Sequence, residues 1–86
     1  MKRFYILVEV DVQGYGYNAK SVQMFTDIEK AKEKMREMYL KAFKQYYDGD
    51  SEDPYAKDNY AYEFGDNYAY VNGYYYLDIF NTDINE

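Results

Sequence analysis

Carboxylates at alternate positions make residues 48 to 59, DGDSEDPYAKDN, the clearest metal-binding pattern in this sequence. Asp48, Asp50 and Glu52 fall at the first, third and fifth positions of a calcium loop, which require oxygen ligands. The pattern then fails, because Asp53 stands where the loop needs glycine and the last position lacks its glutamate. A solvated acidic linker is the preferred interpretation, and weak calcium binding is kept as an alternative.

Catalytic chemistry has few side chains to work with, because the chain holds no His and no Cys. That removes the usual general base, thiolate nucleophiles, Ser/His/Asp triads and the common zinc ligands. A carboxylate such as Glu63 beside a buried Tyr could act in acid-base catalysis, but only in a cleft that tunes two such groups apart. A small domain rarely encloses such a cleft. We expect no enzyme activity and no cofactor.

Charge is divided unevenly along the chain. Residues 1 to 47 hold nine basic and six acidic residues, whereas residues 48 to 86 hold one basic and ten acidic, for a net charge of -6. The acidic half repels phosphate, because nucleic-acid affinity comes largely from Lys and Arg. We expect no direct binding of nucleic acid.

The length of 86 residues fits a single domain, residues 1 to 86, with one core. No apolar run is long enough to span a membrane, and the first twelve residues are too short and too acidic for a signal sequence. The lack of Cys agrees with a reducing compartment. We expect a cytoplasmic protein that makes no membrane contact.

The first half of the chain predicts a hairpin followed by a helix. Residues 4 to 12 alternate as a strand with one wholly apolar face, residues 13 to 20 resemble a loop, and residues 21 to 25 a returning strand. Thr26, with a capping-box Glu three residues later, predicts a helix that starts at Asp27. Apolar residues recur every three or four positions to form one stripe: Ile28, Ala31, Met35, Met38, Tyr39, Ala42, Phe43 and Tyr46.

The second half contains an eight-residue unit written twice, DNYAYEFG and DNYAYVNG, at residues 58 to 73. Gly65-Asp66 and Asn72-Gly73 fit two-residue hairpin turns, which predicts three strands near 59 to 64, 67 to 71 and 74 to 80. The fold class is therefore α+β: an antiparallel sheet of about five strands, in the order β-β-α-β-β-β, packed on one amphipathic helix.

Pairing through two-residue turns assigns the side chains of these three strands to two faces. The first face collects Tyr60, Tyr62, Phe64, Ala69, Val71, Tyr74, Tyr76 and Phe80. The second collects Ala61, Glu63, Tyr68, Tyr70, Tyr75, Leu77 and Ile79. Neither face is polar, and a single helix covers only one side of a sheet. One aromatic face, fringed by carboxylates, should remain available as a binding surface, although exposed Tyr pairs can also be purely structural.

Small size, acidity, lack of Cys and His, and the Tyr- and Asp-dense residues 48 to 86 resemble the small phage-encoded inhibitors of bacterial defence, the anti-CRISPR and anti-restriction proteins. Some of these inhibitors mimic nucleic acid. If the protein is phage-encoded, as the resemblance suggests, its location is the cytoplasm of the host bacterial cell. The Lys-rich helix departs from a uniformly acidic mimic and favours a single acidic face.

The leading hypothesis is a non-enzymatic inhibitor or adaptor that docks an acidic Tyr face on a basic groove of a nucleic-acid-processing protein. The candidate partner-binding residues are Asp48, Asp50, Glu52, Asp53, Asp58, Glu63, Asp66, Tyr68, Tyr70 and Tyr75. The alternative is a structural homodimer without catalytic function, which pairs the aromatic face with its own copy.

Overall fold

The computed structural model describes residues 2–13, 16–47, 53–57 and 60–84. Its elements, in chain order, are β1 (Lys2–Gln13), β2 (Gly16–Phe25), α1 (Ile28–Tyr46), β3 (Tyr62–Phe64), β4 (Tyr68–Val71) and β5 (Tyr75–Ile84). The five strands form one antiparallel sheet in the order β2-β1-β5-β4-β3. The predicted α+β class and the β-β-α-β-β-β order are confirmed.

Strands β1 and β5 form the centre of the sheet and are longer than predicted. Lys2 pairs with Ile84 at one end, and Asp11 pairs with Tyr75 at the other. Most of the predicted loop over residues 13 to 20 is strand instead, because β1 extends far enough to pair with it until Gln13 meets Gly16. A bulge between Glu9 and Val10 absorbs one extra residue of β2.

The helix begins one residue later than predicted, because Asp27 and not Thr26 is its N-cap. The Asp27 carboxylate accepts a hydrogen bond from the backbone N–H of Glu29 at 2.9 Å. Tyr47 ends the helix in an extended conformation. The predicted apolar stripe is confirmed, and its buried members are Ala31, Met35, Tyr39, Ala42 and Phe43.

The helix packs on one side of the sheet, here called the covered face. The buried strand residues on that side are Leu7, Tyr62, Ala69, Val71, Tyr75, Leu77 and Ile79. The core is partly phenolic, and no buried side-chain oxygen or nitrogen of the described residues lacks a hydrogen-bond partner. Tyr39 donates to the backbone carbonyl of Pro54 at 2.6 Å, and its ring centroid lies 5.3 Å from that of Phe64. The opposite side of the sheet is called the open face.

The first turn of the repeat lies one residue beyond its predicted position. The backbone N–H of Gly65 donates to the carbonyl of Tyr68 at 2.8 Å, so Asp66 and Asn67 form the two-residue loop. Phe64 therefore pairs with Ala69. The change slides the β3–β4 register by two residues, and an even shift leaves every side chain on its predicted face.

The second turn has three loop residues where two were predicted. The extra residue moves each side chain of β5 to the face opposite the predicted one. Val71 pairs with Tyr75, and the loop between them includes Gly73 with φ of +85°. Three-residue loops with a left-handed glycine are the next most common hairpin connection after two-residue loops. The predicted face assignment of β5 is therefore wrong: Leu77 joins the covered face, while Tyr76, Asp78 and Phe80 alternate onto the open face.

Candidate protein-binding face

The open face is built by alternate residues of all five strands, and β3 contributes Glu63 to it. Within the described residues no helix or loop packs over it, because α1 and the Pro54 segment both contact the covered face. Register places Val8 beside Val22 on one side and beside Asp78 on the other, and Asp78 in turn beside Tyr68. The face is thus one continuous surface from β2 to β4, and Glu63 of β3 extends it beside Tyr70.

One part of this surface, the apolar half, consists of Phe4, Ile6, Val8, Val10, Val12, Val22, Met24 and Phe80. Its outer members are strongly exposed: the exposed fraction is 65% for Val22, 62% for Met24 and 56% for Phe80. Alternation in β1 brings its wholly apolar side here. The apolar side of β1 therefore faces away from the helix.

The other part, the tyrosine half, consists of Glu63, Tyr68, Tyr70, Tyr76 and Asp78. Its three phenol rings form a row, with centroids 6.3 Å apart for Tyr68 and Tyr70 and 6.1 Å apart for Tyr70 and Tyr76. The rings are stacked, with interplanar angles of 15° and 29°. Flat rings held side by side on a sheet offer a rigid, amphipathic contact surface.

Two neighbours fix the position of Tyr68 at the edge of this row. Its hydroxyl donates a hydrogen bond to Glu63 at 2.6 Å, which raises the pKa of the Tyr68 phenol because the bond favours the protonated form. Its ring also lies over Gly65, where a Cβ would come within 2.5 Å of two ring carbons. Gly65 therefore leaves the space that the ring occupies.

Asp78 lies at the border between the two halves, paired in register with Val8 and Tyr68. Partial burial among these neighbours raises the pKa of its carboxyl above the ordinary value. A surface that covers Asp78 without pairing its charge would raise that pKa further. The charge of Asp78 therefore favours a basic partner, which can pair with it, over an apolar partner, which cannot.

The structure brings only some of the predicted contact residues together. Glu63, Tyr68 and Tyr70 lie on the open face, and Asp66 is exposed in the adjoining β3–β4 loop. Asp53 lies elsewhere, in the segment whose Pro54 carbonyl binds Tyr39 on the covered side. The remaining predicted carboxylates, Asp48, Asp50, Glu52 and Asp58, lie outside the described residues.

Tyr75 does not belong to the open face, and its prediction as an exposed contact is corrected. The three-residue turn places it on the covered face, where it is only 5% exposed. Its hydroxyl donates to Glu9, and burial is the main cause that raises the pKa of the phenol. Its role in the described structure is to hold β5 against β1.

The exposed apolar half was not predicted from the sequence. The signal was present in the alternation of residues 4 to 12, whose apolar side contrasts with a side that carries Glu9 and Asp11. The polar side is nevertheless the covered one. The Glu9 carboxylate is accommodated there because Ser21 donates to one of its oxygens at 2.8 Å and Tyr75 donates to the other.

A cleft of about 190 Å³ opens between α1 and the covered face. Its lining includes the bonded Glu9, and Asp11 and Lys20, whose charged groups lie 3.8 Å apart. Lys34 and Glu37, also in the lining, lie 3.5 Å apart. Lys41 is a further cation of the lining, so three carboxylates and three lysines balance and the cleft has no net charge. Among the residues that the structure describes, no cluster of three metal-ligating side chains is found.

No family model matches the chain, and no curated protein or solved structure is similar to it. In the described part of the chain, no helix is both long and apolar enough to cross a bilayer.

Proposed function

We propose that this protein is a non-enzymatic inhibitor or adaptor that binds another protein through the tyrosine half of its open face. The partner of this surface is a basic, nucleic-acid-binding groove of the kind found on bacterial defence nucleases. The observation that supports it most directly is the row of Tyr68, Tyr70 and Tyr76 on an uncovered sheet face, flanked by carboxylates.

Tyrosines held in this way favour tight contacts with another protein. Tyr is among the residue types that dominate interface energetics, and it loses little conformational entropy on binding. Here part of that entropy is already lost in the free protein, because Glu63 and Gly65 hold Tyr68 in place. A preorganised surface loses less freedom on association and therefore binds more tightly.

Charge supports a basic partner. Glu63 and Asp78 lie on the tyrosine half and Asp66 lies beside it, whereas the only cation that alternation places on the open face of the described strands is Lys2, at the end of β1. A net charge of -6 adds long-range attraction to a basic surface and repulsion from phosphate. A groove that normally holds nucleic acid has the complementary charge.

The test is an inhibition assay against purified nucleases with basic substrate channels, taken from bacterial defence systems. We expect the wild-type protein to block cleavage and Tyr70→Ala to lose most of that inhibition. Tyr60→Ala is the matched control, because Tyr60 is 91% exposed but lies outside the tyrosine half.

Salt separates this mechanism from its alternatives. Binding to a basic groove should weaken steeply as ionic strength rises, because the attraction between the carboxylates and the groove is screened. The double substitution Glu63→Gln and Asp66→Asn should reduce that salt dependence. Inhibition that is equal in wild type and Tyr70→Ala, or binding that is insensitive to salt, would contradict the proposal.

A further inference from the structure

The apolar half is a second surface whose chemistry differs from that of the tyrosine half. None of its eight residues is charged, and Val22, Met24 and Phe80 are each more than half exposed. A basic groove would find no counter-charge on this surface. It resembles the inner face of a sheet that normally packs against another sheet.

The chain also exposes more surface than a compact monomer. Monomeric proteins of this mass expose about 5,400 Å² on average, whereas this chain of 10.4 kDa exposes 6178 Å². The excess over the whole chain is roughly 800 Å², and Val22, Met24 and Phe80 contribute exposed apolar area to the total. The radius of gyration of 13.9 Å likewise exceeds the value of about 12 Å typical of a compact domain of this length.

We propose that the apolar half packs against the same surface of a second copy of this chain, sheet on sheet, to form a twofold-symmetric dimer. An uncharged face carries no group that would repel its own copy, and twofold contacts use one surface on both protomers. Interfaces between copies are also more apolar than those between transient partners. The apolar half fits that composition, whereas the tyrosine half does not.

The proposed dimer interface and the proposed inhibitory surface use different residues. An experiment can therefore disprove one of them without disproving the other. Each copy carries a net charge of -6, so two copies repel at long range and added salt should strengthen their association. Binding to a basic groove has the opposite salt dependence. Tyr70→Ala should therefore lose most of the inhibition while leaving the dimer intact.

The experiment is light scattering coupled to size-exclusion chromatography on the full chain over a range of concentrations. We expect a mass of twice 10.4 kDa for the wild type at micromolar concentration. Val22→Glu should raise the dissociation constant at least about 100-fold, because the dimer would bury an unpaired carboxylate from each copy. Gln45→Glu adds the same charge at an exposed position of α1, on the opposite side of the sheet, and should leave the dimer unchanged.

Met24→Glu provides an independent variant at a second exposed position, and far-UV circular dichroism verifies that each variant is folded. Loss of the dimer in both open-face variants, with retention in Gln45→Glu, supports the proposal. A wild type that stays monomeric at the highest concentration overturns it. So does a dimer that survives both Val22→Glu and Met24→Glu.

Discussion

The phenol of Tyr75 donates a hydrogen bond to Glu9 across the covered face. This contact links β5, the last strand of the chain, to β1, the first. Tyr75→Phe removes the donor and leaves a partly buried carboxylate oxygen without it. We expect the free energy of unfolding to fall by about 1–3 kcal/mol, as measured by urea denaturation. Tyr60→Phe, at a tyrosine that is 91% exposed, should change it by less than half as much.

The two copies of the repeated octapeptide place equivalent tyrosines on opposite faces. Tyr62 is 5% exposed and its ring centroid lies 4.9 Å from that of Phe43, whereas Tyr70 lies on the open face. Tyr62→Ala should destabilise the protein by about 3–5 kcal/mol through loss of core packing. Tyr70→Ala should lower stability by about 1 kcal/mol or less, since only contacts between neighbouring rings are lost. Equal losses in the two variants would contradict the assignment of faces.

Gly65→Ala should displace the ring of Tyr68, because the new methyl group would come within 2.5 Å of it. We expect changed near-UV circular dichroism, a weakened bond between Tyr68 and Glu63, and reduced inhibition of the partner nuclease. Gly16→Ala is the control, since a Cβ at Gly16 has no atom within 4 Å. A Gly65→Ala variant whose aromatic signals match the wild type would show that the ring position does not depend on this glycine.

Alkaline pH should unfold the protein through its buried phenols. Burial raises the pKa of Tyr39 and of Tyr75 above the ordinary value of 10.0, so the folded state keeps protons that the unfolded state loses. Stability from these groups is complete below about pH 10 and falls as the pH rises beyond it. Urea midpoints measured from neutral to strongly alkaline pH should show this decline. Removing the shifted phenol with Tyr75→Phe should make the decline shallower.

Asp78→Asn should affect the two proposed associations in opposite directions. In the dimer, the Asp78 carboxylate borders the apolar half, and its raised pKa already reflects partial desolvation. Removing its charge should lower the dimer dissociation constant, as measured by analytical ultracentrifugation. The same variant should bind a basic groove less tightly, because one attractive charge is lost. Weaker dimerisation in Asp78→Asn would contradict packing through the apolar half.

Local periodicity was sufficient to predict much of this fold. Two elements follow repeating patterns: the apolar stripe from Ile28 to Tyr46 and the alternation of residues 4 to 12. Every position in such a pattern indicates the same type of secondary structure. The faces of β5 could not be predicted, because they depend on whether Tyr74 belongs to a loop or to a strand. A single residue decides that, and Asn-Gly is compatible with both loop lengths.

The candidate site was predictable only in part for a related reason. Tyr68 and Tyr70 were placed correctly because the shift in the first turn was even. The apolar half was not predicted, because the covered side of β1 depends on a hydrogen-bond donor that lies far away in the sequence. Glu9 can face the helix because Ser21 donates to one of its oxygens and Tyr75, far along the chain, donates to the other. Such a contact has no local signature.

The three-residue loop that contains Gly73 sets the phase of the final strand and so decides which of its side chains meet water. Shortening this loop by one residue would keep every strand while exchanging interior for exterior along β5. Leu77 would move to the solvent side, and Asp78 would face the helix. A change in the length of this exposed loop is therefore far more damaging to the fold than a change in its side chains, because it exchanges the two faces of β5.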